Sequence, residues 1–207
     1  RKNMKPKLII FASGSKTGGG SGFENLVNAT KDGRLNAEIV GVVSNHENGG
    51  VREKADRLNV PFIHFTGPWT KEEYARVTHG ADFVALSGWL KLVTGLDPRT
   101  TFNIHPGPLP KFGGAGMYGH FVHEAVIEAY KRGEVKESAV SMHFVTENYD
   151  EGPVFLSEPV AIFPDDTAET LAKKVLETEH RVQPLFTELV TSGKIKWDGQ
   201  NPESLVF

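Results

Sequence analysis

Asn103 and His105 are separated by one residue in the run Thr101-Phe102-Asn103-Ile104-His105, which stops at Pro106 and the Pro- and Gly-rich stretch Gly107-Pro108-Leu109-Pro110-Lys111-Phe112. In an extended strand, positions two apart face the same side, so the amide and the imidazole project together while Ile104 points to the core. An amide donor beside an imidazole is what an oxyanion developing at a carbonyl carbon requires. The same pair on a buried strand could equally be structural. Downstream, Asn148-Tyr149-Asp150-Glu151-Gly152-Pro153 puts a carboxylate between two strand-like runs. Taken alone this is a turn. Brought beside His105, Asp150 could orient the imidazole and accept a proton.

A second candidate is Ser13-Gly14-Ser15-Lys16-Thr17-Gly18-Gly19-Gly20-Ser21-Gly22, between the first strand-like run and the first helical one. Backbone N–H groups and a helix N-terminus at that place can hold an anion. Two well-known phosphate fingerprints fail here: no Gly stands directly before Lys16-Thr17, and no G-x-G-x-x-G register fits the glycines. A flexible surface loop is the competing reading. His120 and His123 share a helical face, but Ile127 breaks the H-E-x-x-H pattern and no third ligand is evident, so no metal is expected. Trp69, Trp89 and Trp197, far apart and without interleaved basic residues, read as packing residues.

The elements that must position these groups alternate. Lys7 to Ala12, Ala37 to Val43, Pro61 to Phe65 and Asp82 to Leu86 are strand-like, with helix-like segments after the glycine loop, over Val51 to Leu58 and over Lys71 to Thr78. This βαβαβαβ order predicts an α/β, Rossmann-like, mostly parallel twisted sheet with helices on both faces and ligands at the carboxyl ends of its strands. Thr101 to His105 is a further strand and Gly119 to Tyr130 a helix. Ser138 to Val145 and Val154 to Phe163 form an antiparallel C-terminal extension, and Thr167 to Leu189 closes the chain as a long helix with Pro184 as its kink or break point.

With 207 residues, 39% hydrophobic and 24% charged, the chain predicts one globular domain over 1–207 with no apolar run of membrane-spanning length. A net charge of −3 without a basic cluster argues against a nucleic-acid partner. The absence of cysteine removes disulfides and thiolate chemistry. No charged-then-apolar leader precedes the first strand, and the cytoplasm is the expected setting.

Ser13-Gly14, Val43-Ser44-Asn45, Leu86-Ser87-Gly88-Trp89-Leu90, Asn103-Ile104-His105-Pro106, Leu109-Pro110-Lys111-Phe112 and His143-Phe144-Val145-Thr146 leading to Asp150-Glu151-Gly152-Pro153 together resemble the folate-dependent formyltransferase family. The likeness runs from about Lys7 to Trp197, and the full-length layout is most similar to the members that act on glycinamide ribonucleotide. The resemblance implies formyl transfer from 10-formyltetrahydrofolate, a co-substrate and not a resident cofactor, to the ribotide's primary amine. It implies Asn103, protonated His105 and Asp150 as the catalytic set. Leu90, Lys91, Leu92, Val93, Thr146, Glu147 and Tyr149 would line the folate slot. Ser13, Gly14, Ser15, Lys16, Gly20, Ser21 and Gly22 would hold the ribotide phosphate and Glu179 the ribose. The partners implied are these small molecules, with the chain a monomer or homodimer. The glycine loop departs from the family's compact Ser-Gly-x-Gly-Ser/Thr-Asn: about four residues, Lys16 to Gly19, are inserted, and Gly22 stands where Asn is usual. Leu176 and Lys91 also replace common polar and Arg residues. A family member acting on an amino sugar or other small amine would share the catalytic set, whereas a non-catalytic nucleotide-binding module would leave it unexplained.

Overall fold

The computed structural model describes residues 4–207. Five helices and seven strands follow one another as β1 (Lys7–Phe11), α1 (Ser21–Asp32), β2 (Glu38–Ser44), α2 (Gly50–Leu58), β3 (Phe62–His64), α3 (Lys71–Val77), β4 (Phe83–Ser87), β5 (Thr101–His105), α4 (His120–Lys131), β6 (Glu137–Phe144), β7 (Val154–Ala161) and α5 (Ala168–Thr191). The strands build one sheet in the order β3-β2-β1-β4-β5-β6-β7. β1 to β5 are parallel, while β5 to β6 and β6 to β7 are antiparallel. The α/β class and the antiparallel extension therefore agree with the sequence reading.

The apolar run of β1 is continuous because both faces of the sheet are covered. Leu8 and Ile10 join a cluster with Phe23 and Leu26 of α1, Val122 and Val126 of α4, and Leu171 and Val175 of α5. Ile9 and Phe11 point the other way, to Phe65, Tyr74, Val77 and Trp89. Between β1 and β4 the strand order reverses, and at such a point the connecting segments diverge and leave a crevice at the strands' carboxyl ends. The glycine loop leaves β1 and the segment 88–93 leaves β4 on either side of it.

α5 runs on through Pro184, so of the two expected outcomes, a kink or a break, the break does not occur. Proline removes the N–H that would bond the carbonyl four residues earlier, and here that carbonyl, of His180, instead accepts from Asn25 Nδ2 of α1 at 2.9 Å. Trp197 packs against Phe144 and donates from its indole nitrogen to Pro98 O, in keeping with a packing role.

Candidate active site

A cavity of about 490 Å³ opens at the carboxyl ends of β1, β4 and β5. On its floor, Asn103 and His105 share one face of β5, as strand geometry requires, and the antiparallel register sets His143 of β6 directly opposite Asn103. His143 Nδ1 lies 2.8 Å from Phe144 O, and a carbonyl can only accept, so that nitrogen carries the proton. His143 Nε2 then faces Asn103 Nδ2 at 3.1 Å and Asp150 Oδ1 at 3.4 Å. Asn103 Nδ2 is also 3.4 Å from Asp150 Oδ1. The amide is held between an imidazole and a carboxylate, a placement that fixes its rotation.

Asp150 comes from the loop after β6 and adopts a left-handed backbone with φ of 54°, a conformation that Asp tolerates better than bulky residues. Gly114 N–H donates to its Oδ2 at 3.0 Å. Burial by itself would raise this carboxyl, but His143, His105 and the Gly114 N–H outweigh it and hold Asp150 below the usual carboxylate range. His105 behaves differently. Burial is the largest influence and lowers its pKa, against the opposing pull of Asp150. Its Nε2 lies 2.7 Å from Phe112 O and must donate there, while Nδ1 is 3.8 Å from Asp150 Oδ2, beyond hydrogen-bond contact. The resting imidazole therefore favours its neutral form. Burial outweighs both the Phe112 carbonyl and Asp150, which favour the charged form.

One arm of the cavity is walled by Leu90 to Val93 and by Thr146 and Tyr149. Tyr74 sets the first of these segments: its hydroxyl donates to Leu92 O at 3.0 Å and accepts from Trp89 Nε1 at 3.0 Å. Burial pushes the Tyr74 hydroxyl up to about 12, so it remains a donor at any physiological pH. Glu147 does not line the cavity. It accepts from Thr94 Oγ1 at 3.2 Å and so clasps the two walls together.

The other arm lies between the glycine loop and α5. Gly14, Gly20, Ser21, Gly22 and Glu179 line it, and Ser13, Ser15 and Lys16 do not. Ser13 is buried, and its Oγ accepts from Leu90 N at 3.0 Å, tying the two arms at their root. The inserted residues form a closed turn, with Ser15 N–H donating to Gly18 O at 2.9 Å, packed so closely on α2 that a side chain at Gly50 would overlap Gly18. Lys16 projects into solvent from this turn. A cation reaches the loop from α2: Lys54 Nζ donates to Gly19 O at 2.8 Å. α1 begins at Ser21 behind Gly20 with no side-chain cap, and its first intrahelical bond is Glu24 N–H to Gly20 O. The N–H groups of Ser21, Gly22 and Phe23 are left for a ligand. Across the gap, burial pushes the Glu179 carboxyl up to about 7.

His143, Tyr74, Lys54 and Gln183 were not anticipated as site residues. For His143 a signal existed: Ser141 and His143 alternate with the apolar Val140, Met142 and Phe144, two polar residues on one face of the strand's end. The other three come from helices whose approach to the site no local pattern encodes.

Comparison with known proteins bears on what this arrangement does. Residues 7–187 match the family model described as formyl transferase. The chain is 35% identical to the chloroplastic phosphoribosylglycinamide formyltransferase of Arabidopsis thaliana over 96% of its own length and 73% of the relative's. For the corresponding Vigna unguiculata protein the identity is again 35%, and the chain spans 63% of that relative. The phosphoribosylglycinamide formyltransferase of Bacillus subtilis is 28% identical over 86% of this chain and 91% of its own. Among solved structures, glycinamide ribonucleotide transformylase 1 from Symbiobacterium toebii superposes with a TM-score of 0.80 at 29% identity, covering 97% of this chain and 93% of the other.

Proposed function

Because the chain belongs to the formyl transferase family, we propose that it transfers the formyl group of 10-formyltetrahydrofolate to the primary amine of glycinamide ribonucleotide, as an enzyme of purine biosynthesis. The observation that carries this reading is the convergence of Asn103, His105 and Asp150 at the junction of two cavity arms. One arm suits a reduced folate, the other a phosphorylated acceptor.

The amine nitrogen attacks the formyl carbon and its carbonyl oxygen becomes an oxyanion. Asn103, whose amide His143 and Asp150 already orient, exchanges its long contact to Asp150 for one to this oxygen. The proton lost by the attacking amine passes to His105 Nδ1, the nitrogen left open by the Phe112 carbonyl. The imidazolium so formed is stabilised by Asp150 and donates to the oxyanion, so the charge appears at the site only when it is needed. Collapse breaks the bond to folate N10, which takes up the proton. Leu90 to Val93, Thr146 and Tyr149 hold the folate, with Glu147 closing its slot. The N–H groups at the start of α1, with Gly14 and Gly20, take the phosphate, and Glu179 takes the ribose. Ser13 and Ser15 support this loop from outside the cavity, and Lys16 faces solvent. The test is a turnover assay with purified glycinamide ribonucleotide and 10-formyltetrahydrofolate, which requires donor and acceptor together. Formylated ribotide in stoichiometric step with tetrahydrofolate is the expected product, and its absence would overturn the reading.

A further inference from the structure

Leu176, Glu179, His180 and Gln183 fall at helical spacing on one face of α5 and line the acceptor arm. Gln183 is only 3% exposed, and its Nε2 donates to Ser87 Oγ at 3.1 Å. Among the described residues nothing bonds its Oε1. Held by a buried side chain at the cavity wall, this oxygen keeps its acceptor capacity for a donor that enters the cavity.

Gly22 provides the second observation. Its backbone is helical and does not need glycine, and glycine inside a helix is disfavoured. A Cβ there would overlap Ser87 Oγ and stand 3.1 Å from Gln183 Oε1 and 3.4 Å from Nε2. The missing side chain is the room that the Ser87–Gln183 pair occupies.

Resting on the acceptor proposed above, we infer that Gln183 selects it: Oε1, steered by Ser87 into the space left at Gly22, accepts a hydrogen bond from a sugar hydroxyl of the ribotide. An oxygen acceptor suits a hydroxyl and repels a phosphate oxygen, which belongs to the N–H groups of the adjacent helix start.

Steady-state kinetics on the full chain test this, using the ribotide and two analogues, each lacking one ribose hydroxyl. Gln183→Leu should raise KM for the ribotide roughly tenfold, the scale of one hydrogen bond, with kcat within about twofold and KM for the folate unchanged. The wild-type protein should discriminate against one of the deoxy analogues by a similar factor, and Gln183→Leu should not. Gly22→Ala should reproduce the KM defect by displacing the pair, and adding Ser87→Ala should relieve part of it; this pair of variants decides the matter if Gln183→Leu does not fold. An unchanged ribotide KM in Gln183→Leu, or discrimination between analogues that survives the substitution, would overturn the inference while leaving formyl transfer intact. A wild-type protein that does not formylate the ribotide at all would instead overturn the functional reading on which it rests.

Discussion

Each polar group at the centre of the cavity is defined by what it can no longer do. Asn103 cannot rotate, His105 cannot donate from Nδ1 while neutral, and Asp150 is kept ionised in a nearly dry place. Such preorganisation acts in the transition state more than in substrate binding. His105→Ala and Asp150→Asn are therefore each expected to lower kcat by at least ~10² with folate affinity retained, measured by steady-state turnover and equilibrium titration. Near-native turnover in either would remove that residue from the chemistry. Glu179 allows a separate test. Its carboxyl is raised from 4.5 to about 7, so its contribution to stability is complete below 4.5 and is lost as pH rises through about 7. Glu179→Gln is neutral throughout. Without ligand it should melt higher than wild type at pH 8, with the difference vanishing toward pH 4.5. Thermal melts across that range check the sign.

The elements explain how far the sequence alone could lead. The strands of the parallel core were readable because a run such as Lys7–Phe11 is apolar on both faces, and the common face of Asn103 and His105 follows from a period of two. Partners across space were not readable. Tyr74 reaches the segment after β4 from α3, and Lys54 reaches the glycine loop from α2; neither approach leaves a mark in its own helix. Gly22 stands where the family usually has Asn, and nothing in the local sequence marks Ser87 and Gln183 as its spatial neighbours. Pro184 misled for a related reason. Local rules end a helix there, but Asn25, 155 residues distant in sequence from His180, satisfies the stranded carbonyl. Asn25→Ala should cost ~1 kcal/mol or more, the value of leaving that carbonyl unpaired, read by denaturant unfolding. An unaffected midpoint would mean that α5 does not depend on this bond.

Across the whole molecule, one sheet carries both ligand arms and the reacting centre between them. Every charge the proposed reaction develops has a partner in the chain: the N–H groups at the start of α1 for phosphate, Asn103 and His105 for the oxyanion, Asp150 for the imidazolium. Turnover should accordingly survive exhaustive chelation. Activity lost with chelator and restored by a divalent ion would contradict this division of labour. Of the architecture, the mostly parallel sheet and its antiparallel extension were legible in the alternation of runs. The depth of the cavity was not, because it depends on where the strand order reverses.

The register that sets His143 against Asn103 also limits how the gene can change. β5 ends at the reacting centre, and β6 approaches it from the far side after the short turn that follows Lys131. If a codon is lost in that turn, the turn can tighten and leave the ladder untouched. If instead the strand slides by one step, it turns over completely, and Met142 or Phe144 replaces the imidazole at the cavity floor while His143 enters the core. Length changes in this turn are therefore tolerated while the strand keeps its parity, and one that slides the strand by a single residue takes the imidazole away from Asn103.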